Sequence, residues 1–139
     1  MAENTFMLEI VTPEQILFKD EVQFLVAPAV EGELGVLRNH APLVAALKIG
    51  VLRYKDAQNK EQKIAMSGGF MEVVDNTARV LAETAEHGYE IDVLRAKAAA
   101  ERARRRLTQR DENINYSRAQ LAMQRAIARL RAAGTDIDV

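Results

Sequence analysis

Among its 139 residues the chain has no cysteine, so disulfides and thiolate metal sites are excluded. Histidine occurs twice, at His40 and His87, and never in an H-x-x-x-H or H-E-x-x-H spacing that would suit zinc. Serine also occurs twice, at Ser67 and Ser117, and neither stands in a G-x-S-x-G elbow. That scarcity argues against a hydrolase with its own covalent nucleophile. No apolar run approaches the ~20 residues of a membrane span. The opening "MAENTFMLEIV" lacks the charged-then-apolar pattern of a signal peptide. A soluble intracellular protein, without direct insertion into a membrane, is the expectation.

What is present falls into two unlike parts. The formal net charge is only −1. Residues 1–90, however, carry 8 basic and 14 acidic side chains, whereas residues 91–139 carry 11 basic and 6 acidic. All three prolines and six of the seven glycines lie in the first part. A composition change this sharp, at "EHGYEI", marks a domain boundary. We divide the chain into a domain over 1–87 and a second over 88–139.

The first part reads as short strands. "TFMLEIV" alternates, with Phe6, Leu8 and Ile10 on one side before the Thr12-Pro13 break. "EVQFLVAPAV" is β-rich and ends at "EGELG". Later strands are expected between turn clusters at Asp56–Lys60, Ser67–Gly69 and Asp75–Thr77. Turn signals every 8–12 residues suggest an antiparallel sandwich or flattened barrel.

The second part reads as a helical hairpin. From Ile91 to Arg110 the residues are strong helix formers dominated by alanine. Asp92 sits in the first turn, where a carboxylate suits the positive end of the helix dipole. "TQRDENINYS" interrupts the pattern, and Asp111 or Asn113 could cap a second helix. That helix places Ala119, Ala122, Met123, Ala126, Leu130 and Ala133 at spacings of three and four and stops at Gly134. A seam of such small side chains, at ~25 cal/mol per Å² of apolar area, barely offsets the entropy of ordering the chain. The hairpin should therefore be marginal alone and able to dock or open.

"EIDVLRAKAAAERARRRLTQR" holds seven basic residues, six of them arginine, and poses the question of what they meet. A solvated charged face accounts for many of them, since exposed pairs contribute little. Nucleic acid is a second reading, but stacking aromatics are missing apart from Tyr116. A membrane surface is a third, and the alanine-rich apolar side lacks the Trp, Phe and Leu that interfacial helices use. Spacing gives a fourth. Arg95 and Arg102 are seven apart on the first helix, and Arg125 and Arg129 are four apart on the second. Folded together, the helices could present several guanidinium forks to one polyanion.

The hexapeptide "IDVLRA" resembles the I/L-D-x-x-R-A signature of the epsilon subunit of bacterial F-type ATP synthase. "VTPEQILFKDEV", "EGELGVLRNHAPLVAALKIGVLR", "SGGFMEV" and "VLAETAE" are similar to that family's blocks, in the same order. The likeness runs from about Leu8 to Leu130. Two departures lie in loops: Arg38 stands where a proline or glycine is expected, and a glycine often found after the Pro28 position is missing.

The resemblance implies a fold of an N-terminal antiparallel β-sandwich of about ten strands followed by a two-helix hairpin. It also implies a non-catalytic rotor subunit at the cytoplasmic face of the bacterial cell membrane. The β domain would bind the gamma subunit and the c-subunit ring. The helices, when extended, would reach the alpha/beta catalytic subunits and inhibit ATP hydrolysis. ATP would be a regulatory ligand of the folded hairpin, with magnesium open and no obligatory cofactor. By position, the ATP set is Glu86, Ile91, Asp92, Arg95, Ala96, Arg102, Arg125 and Arg129. The arginines would hold phosphate and close the helices, Glu86 and Asp92 would face the adenine and ribose side, and Ile91 and Ala96 would make room for the base. For Asp92 and Arg95 the competing reading is an ion pair at the start of the helix. Glu31, Gly32, Glu33, Asn39 and His40 would contact the c-ring or gamma, against a reading as turn chemistry. For His40 a structural hydrogen bond is the stronger of the two. "GELG" lacks the lysine of a P-loop. Two further alternatives stay open: a structural rotor linker without nucleotide sensing, and a basic-helix module for nucleic acid.

Overall fold

The computed structural model describes residues 4–109, 111 and 113–135. The strands are β1 (Phe6–Val11), β2 (Ile16–Ala29), β3 (Gly32–Val36), β4 (Leu43–Asp56), β5 (Glu61–Val74), β6 (Thr77–Ala82) and β7 (Ala85–His87). A single 3-10 turn, Gly88–Glu90, leads to helices α1 (Val93–Thr108) and α2 (Tyr116–Ala132).

Strand order is β1-β6-β5-β4-β2-β3, and β1 also pairs with β2. Five strands therefore close a ring. A ring of five cannot alternate direction at every step, so one pairing must be parallel. That pairing is β1 with β6, from Met7 opposite Thr77 to Val11 opposite Leu81. The expected antiparallel sandwich or flattened barrel thus carries one parallel seam.

Among the described residues seven strands stand where about ten were expected, because β2, β4 and β5 each run 14 residues through a change of face. In β5 the inward residues are Ile64 and Met66, then Met71 and Val73, so the alternation slips across residues 67–70. Strands that switch layers through a bend make the corners of such sandwiches. The expected turn at Ser67–Gly69 is that bend, with Gly68 at φ 81° and Gly69 at φ 139°. β2 switches in the same way, at register shifts against β4 between Val22 and Phe24 and between Val26 and Ala29.

The true turns obey local chemistry. Asp75 and Asn76 both have positive φ, the twist that a tight hairpin requires. The carboxylate of Asp56 accepts hydrogen bonds from the backbone N–H groups of Gln58 (3.0 Å) and Lys60 (2.9 Å), closing the turn between β4 and β5. Inside the ring, Phe6, Leu8, Ile10, Leu25, Leu52, Ile64, Met71 and Val80 are fully buried.

Asp92 is the cap of α1, its side chain accepting from the N–H of Arg95 at 3.1 Å. The cap of α2 is Asn115, which accepts from Arg118 at 3.1 Å, rather than Asp111 or Asn113. Asp111 is occupied locally, accepting from the N–H of Asn113 at 2.9 Å. Although α1 comes first in the chain, α2 is the helix that lies on the sandwich, packed across β4 and β5. α1 packs mainly on α2.

Two outcomes are expected. A Cβ at Gly69 would lie 1.9 Å from the carbonyl oxygen of Leu81. Gly69→Ala should therefore cost at least about 2 kcal/mol, read from urea unfolding. A loss below a few tenths of a kcal/mol would contradict the account of the bend. Tyr54 is 3 % exposed, and burial, with smaller repulsion from Tyr89, Asp56 and Asp20, pushes its pKa up to about 12. The folded state then holds its proton more tightly than the unfolded chain, whose value is 10.0. The stabilisation is whole below pH ~10 and is lost as pH rises towards ~12, about 1–3 kcal/mol in all. Unfolding midpoints at pH 9 and 11 should diverge, and Tyr54→Phe should narrow the gap.

Candidate functional site

The helices meet the sandwich along a line of small residues. Ala65 of β5 is buried against Ile91, Ala96, Leu130 and Ala132, with Val51, Val93, Ala100 and Ala133 at the edges. Ile64, Ala65 and Met66 are all buried, because β5 has the core on one face and α2 on the other. Gly88 lets the last turn of α2 come close: an added Cβ would stand 2.1 Å from the Ala132 carbonyl oxygen and 3.3 Å from that of Lys63. Beside it, the rings of His87 and Tyr89 stack with centroids 4.8 Å apart.

Charge enters at one side of this line. Glu86, on β7 opposite Ala65, accepts from Arg129 of α2. Arg129 Nε donates to Glu86 Oε1, and Nη2 donates to Oε2 at 3.5 Å. Among the described residues this is the ion pair that crosses from the sandwich to the helices. Arg125, one turn before Arg129, lines the same cleft with Ser67, Thr84, Met66 and Ala128. The Ser67 and Thr84 hydroxyls bond to each other on its floor. The cleft is small, about 50 Å³.

The residues of the expected ATP set therefore separate into four groups. Glu86, Arg125 and Arg129 come together in this cleft. Ile91 and Ala96 are buried in the contact between the helices and the sandwich. Asp92 is engaged as a helix cap through the backbone of Arg95, not through its guanidinium. Arg95 and Arg102 are exposed on α1 and do not line that cleft. The solvated reading fits Arg104, which pairs with Glu101 at 2.8 Å on the open face of α1.

The residues expected to touch other subunits lie on β3 and the loop after it. Glu31 and Gly32 (φ 131°) make the turn into β3, and Glu33 pairs with Arg53 of β4 at 3.5 Å. Asn39 has φ 59°, and its N–H donates to Asn76 Oδ1 at 2.7 Å. His40 Nδ1 lies 2.7 Å from the Ala41 carbonyl, the local hydrogen bond favoured from sequence. Gly88 and the Ser67–Thr84 pair were not singled out from sequence, and no local signal marks them. Both arise from register and helix docking.

A family model, the beta-sandwich domain of the ATP synthase delta/epsilon chain, matches residues 5–88. A second, the long alpha-helix domain of the same chain, matches residues 90–134. The ATP synthase epsilon chain of Syntrophomonas wolfei is 68% identical over 133 residues, covering 96% of this chain and 97% of that one. That of Desulfitobacterium hafniense (strain Y51) is 53% identical over 130 residues, 94% of this chain and 97% of the relative. Among solved structures, a chain in the mitochondrial ATP synthase of Euglena gracilis (OSCP/F1/c-ring) has a TM-score of 0.80 and 27% identity, over 93% of this chain and 81% of that one.

The close approach at Gly88 supplies a test. In Gly88→Ala, α2 should lift from β5, so its amides should exchange at least about tenfold faster while the sandwich keeps its unfolding midpoint. Unchanged exchange would mean that the seam does not depend on this contact.

Two family models that together span nearly the whole chain agree with a relative that is 68% identical over 96% of it: this protein belongs to the ATP synthase delta/epsilon family, as an epsilon subunit of the bacterial F-type enzyme.

Proposed function

We propose that this chain is a non-catalytic rotor subunit of the central stalk, coupling proton transport to ATP synthesis and restraining ATP hydrolysis through its helices. The gamma subunit and the c-ring would engage the sandwich, at the cytoplasmic face of the bacterial cell membrane. Two observations support a protein partner there. Phe70 is exposed with Ala46 and Leu81 as its cross-strand neighbours, and Val44 is exposed on the same strand as Ala46. Contiguous apolar surface of this kind marks an interaction site. Glu31, Gly32, Glu33, Asn39 and His40 remain the residues proposed for contact with the c-ring or gamma. No helix among the described residues is long and apolar enough to cross a membrane.

The observation that carries the regulatory part is how α2 is held. Its seam is mostly alanine, and among the described residues one partly exposed ion pair joins it to the sandwich. A contact this modest is readily reversed, because a partly exposed pair contributes about 1 kcal/mol. ATP that favours the closed hairpin would stabilise it by about 1.4 kcal/mol at ten times its dissociation constant and about 2.7 at a hundred times. That moves the open population by one to two orders of magnitude. Once released, the basic helices would lie against acidic patches of the alpha/beta subunits.

Nucleotide would enter beside Glu86, Arg125 and Arg129. The cleft there is well below the ~300 Å³ of a small-ligand pocket. The ligand would therefore extend over the surface towards Arg95 and Arg102 of α1, with Asp92, Ile91 and Ala96 at the helix start. Glu86 would exchange Arg129 for ligand contact. Calorimetry of the full chain with ATP, with and without magnesium, tests this. Arg125→Ala and Arg102→Ala should each weaken binding by about tenfold, the value of one charge-assisted bond. No heat at millimolar ATP would leave a structural rotor linker as the better reading.

A further inference from the structure

A larger cleft lies on the other side of the α2 contact line. Ala128 borders both clefts, but Gln124, Ile127 and Arg131 face this one while Arg125 and Arg129 face the first. Its volume is about 780 Å³, within the range of small-molecule sites. The sandwich supplies Lys48, Arg53 and Lys63 with one carboxylate, Glu33, and α2 supplies Arg131. Ile49, Val51 and Ile127 form an apolar wall.

The ladder between β4 and β5 sets Arg53 directly opposite Lys63. Like charges in that position repel. Two carboxylates answer the repulsion, Glu33 and Glu61, but both reach Arg53, each at 3.5 Å. Lys48, Lys63 and Arg131 have no ion-pair partner among the described residues. The cleft therefore holds an excess of positive charge beside an apolar wall. The negative end of α2 opposes an anion here. Three of its last four carbonyls are already answered, however, since the N–H groups of Ala133, Gly134 and Thr135 donate to Arg129, Arg131 and Leu130.

We propose that this cleft binds a compact phosphate-bearing anion, held between Lys48 and Lys63 of the sandwich and Arg131 of α2. Because the cations come from both parts of the protein, such an anion bridges α2 to β4 and β5. The same anion would lose most of its affinity when the hairpin opens, as linkage between the two equilibria requires. The site is separate from the Glu86 cleft and does not rest on ATP binding there.

Calorimetry of the full chain with pyrophosphate, ATP and adenosine tests the assignment. Pyrophosphate should bind, adenosine should not, and raising the salt should weaken binding. Lys63→Gln with Arg131→Gln should reduce pyrophosphate affinity by a hundredfold or so, about tenfold per cation. Arg125→Ala should leave it within about twofold, even where it weakens ATP. Lys48→Gln, an exposed position on β4 outside the seam, is a second variant, expected to lose about three- to tenfold. Failure of pyrophosphate to bind at millimolar concentration overturns the proposal. So does a loss of binding that follows Arg125→Ala and ignores Lys63, Arg131 and Lys48.

Discussion

Everything the helices can do depends on how α2 sits on β5. The seat is a buried alanine, Ala65, in a strand that already has the hydrophobic core on its other face. Small side chains let the helix approach closely, and Gly88 removes the last obstruction at the end of α2. Close approach gives shape agreement but little area, so the contact is specific without being strong. The Glu86–Arg129 pair then fixes which way round the helix lies more than how tightly it is held. α1 is carried along by α2, having little contact with the sandwich of its own.

The position of charge follows from that seat. Ala128 and Ala132 of α2 lie against the sheet, and the residues beside Ala128 fall into two clefts flanking it. One side receives Arg125 and Arg129 next to a carboxylate, and the other receives Arg131 next to lysines. The arginines of α1 stay mostly in water, where the Glu101–Arg104 pair shows their ordinary behaviour. A single helix thus separates two environments of different electrostatic character, both sensitive to whether it remains in place.

Much of this was legible in the chain. The alternation of Phe6, Leu8 and Ile10 gave β1, and the three- and four-residue spacing of Ala119, Ala126 and Leu130 gave the buried side of α2. The break in composition near "EHGYEI" falls between β7 and α1. Strand count was less legible, because Gly68 and Gly69 look like a turn when they are a bend within one continuous strand. The cap of α2 was missed because Asp111, Asn113 and Asn115 are all competent acceptors, and only the geometry of the hairpin chooses Asn115. In the site, residues adjacent in sequence or helical spacing could be grouped. The meeting of Arg53 with Lys63, or of Gly88 with Ala132, depends on pairing register and docking, which no local pattern encodes.

The seam between β1 and β6 has a consequence for how the molecule assembles. Met7 lies beside Thr77 and Val11 beside Leu81, partners some seventy positions apart along the chain. The first strand can form its hairpin with β2 early, but its other edge stays open until the sixth has been synthesised. Contacts so distant are slow to form, because the loop between them must be ordered first. Closure of the cylinder is therefore a late event during translation. The cylinder that carries the seat of α2 closes only shortly before the helices themselves leave the ribosome.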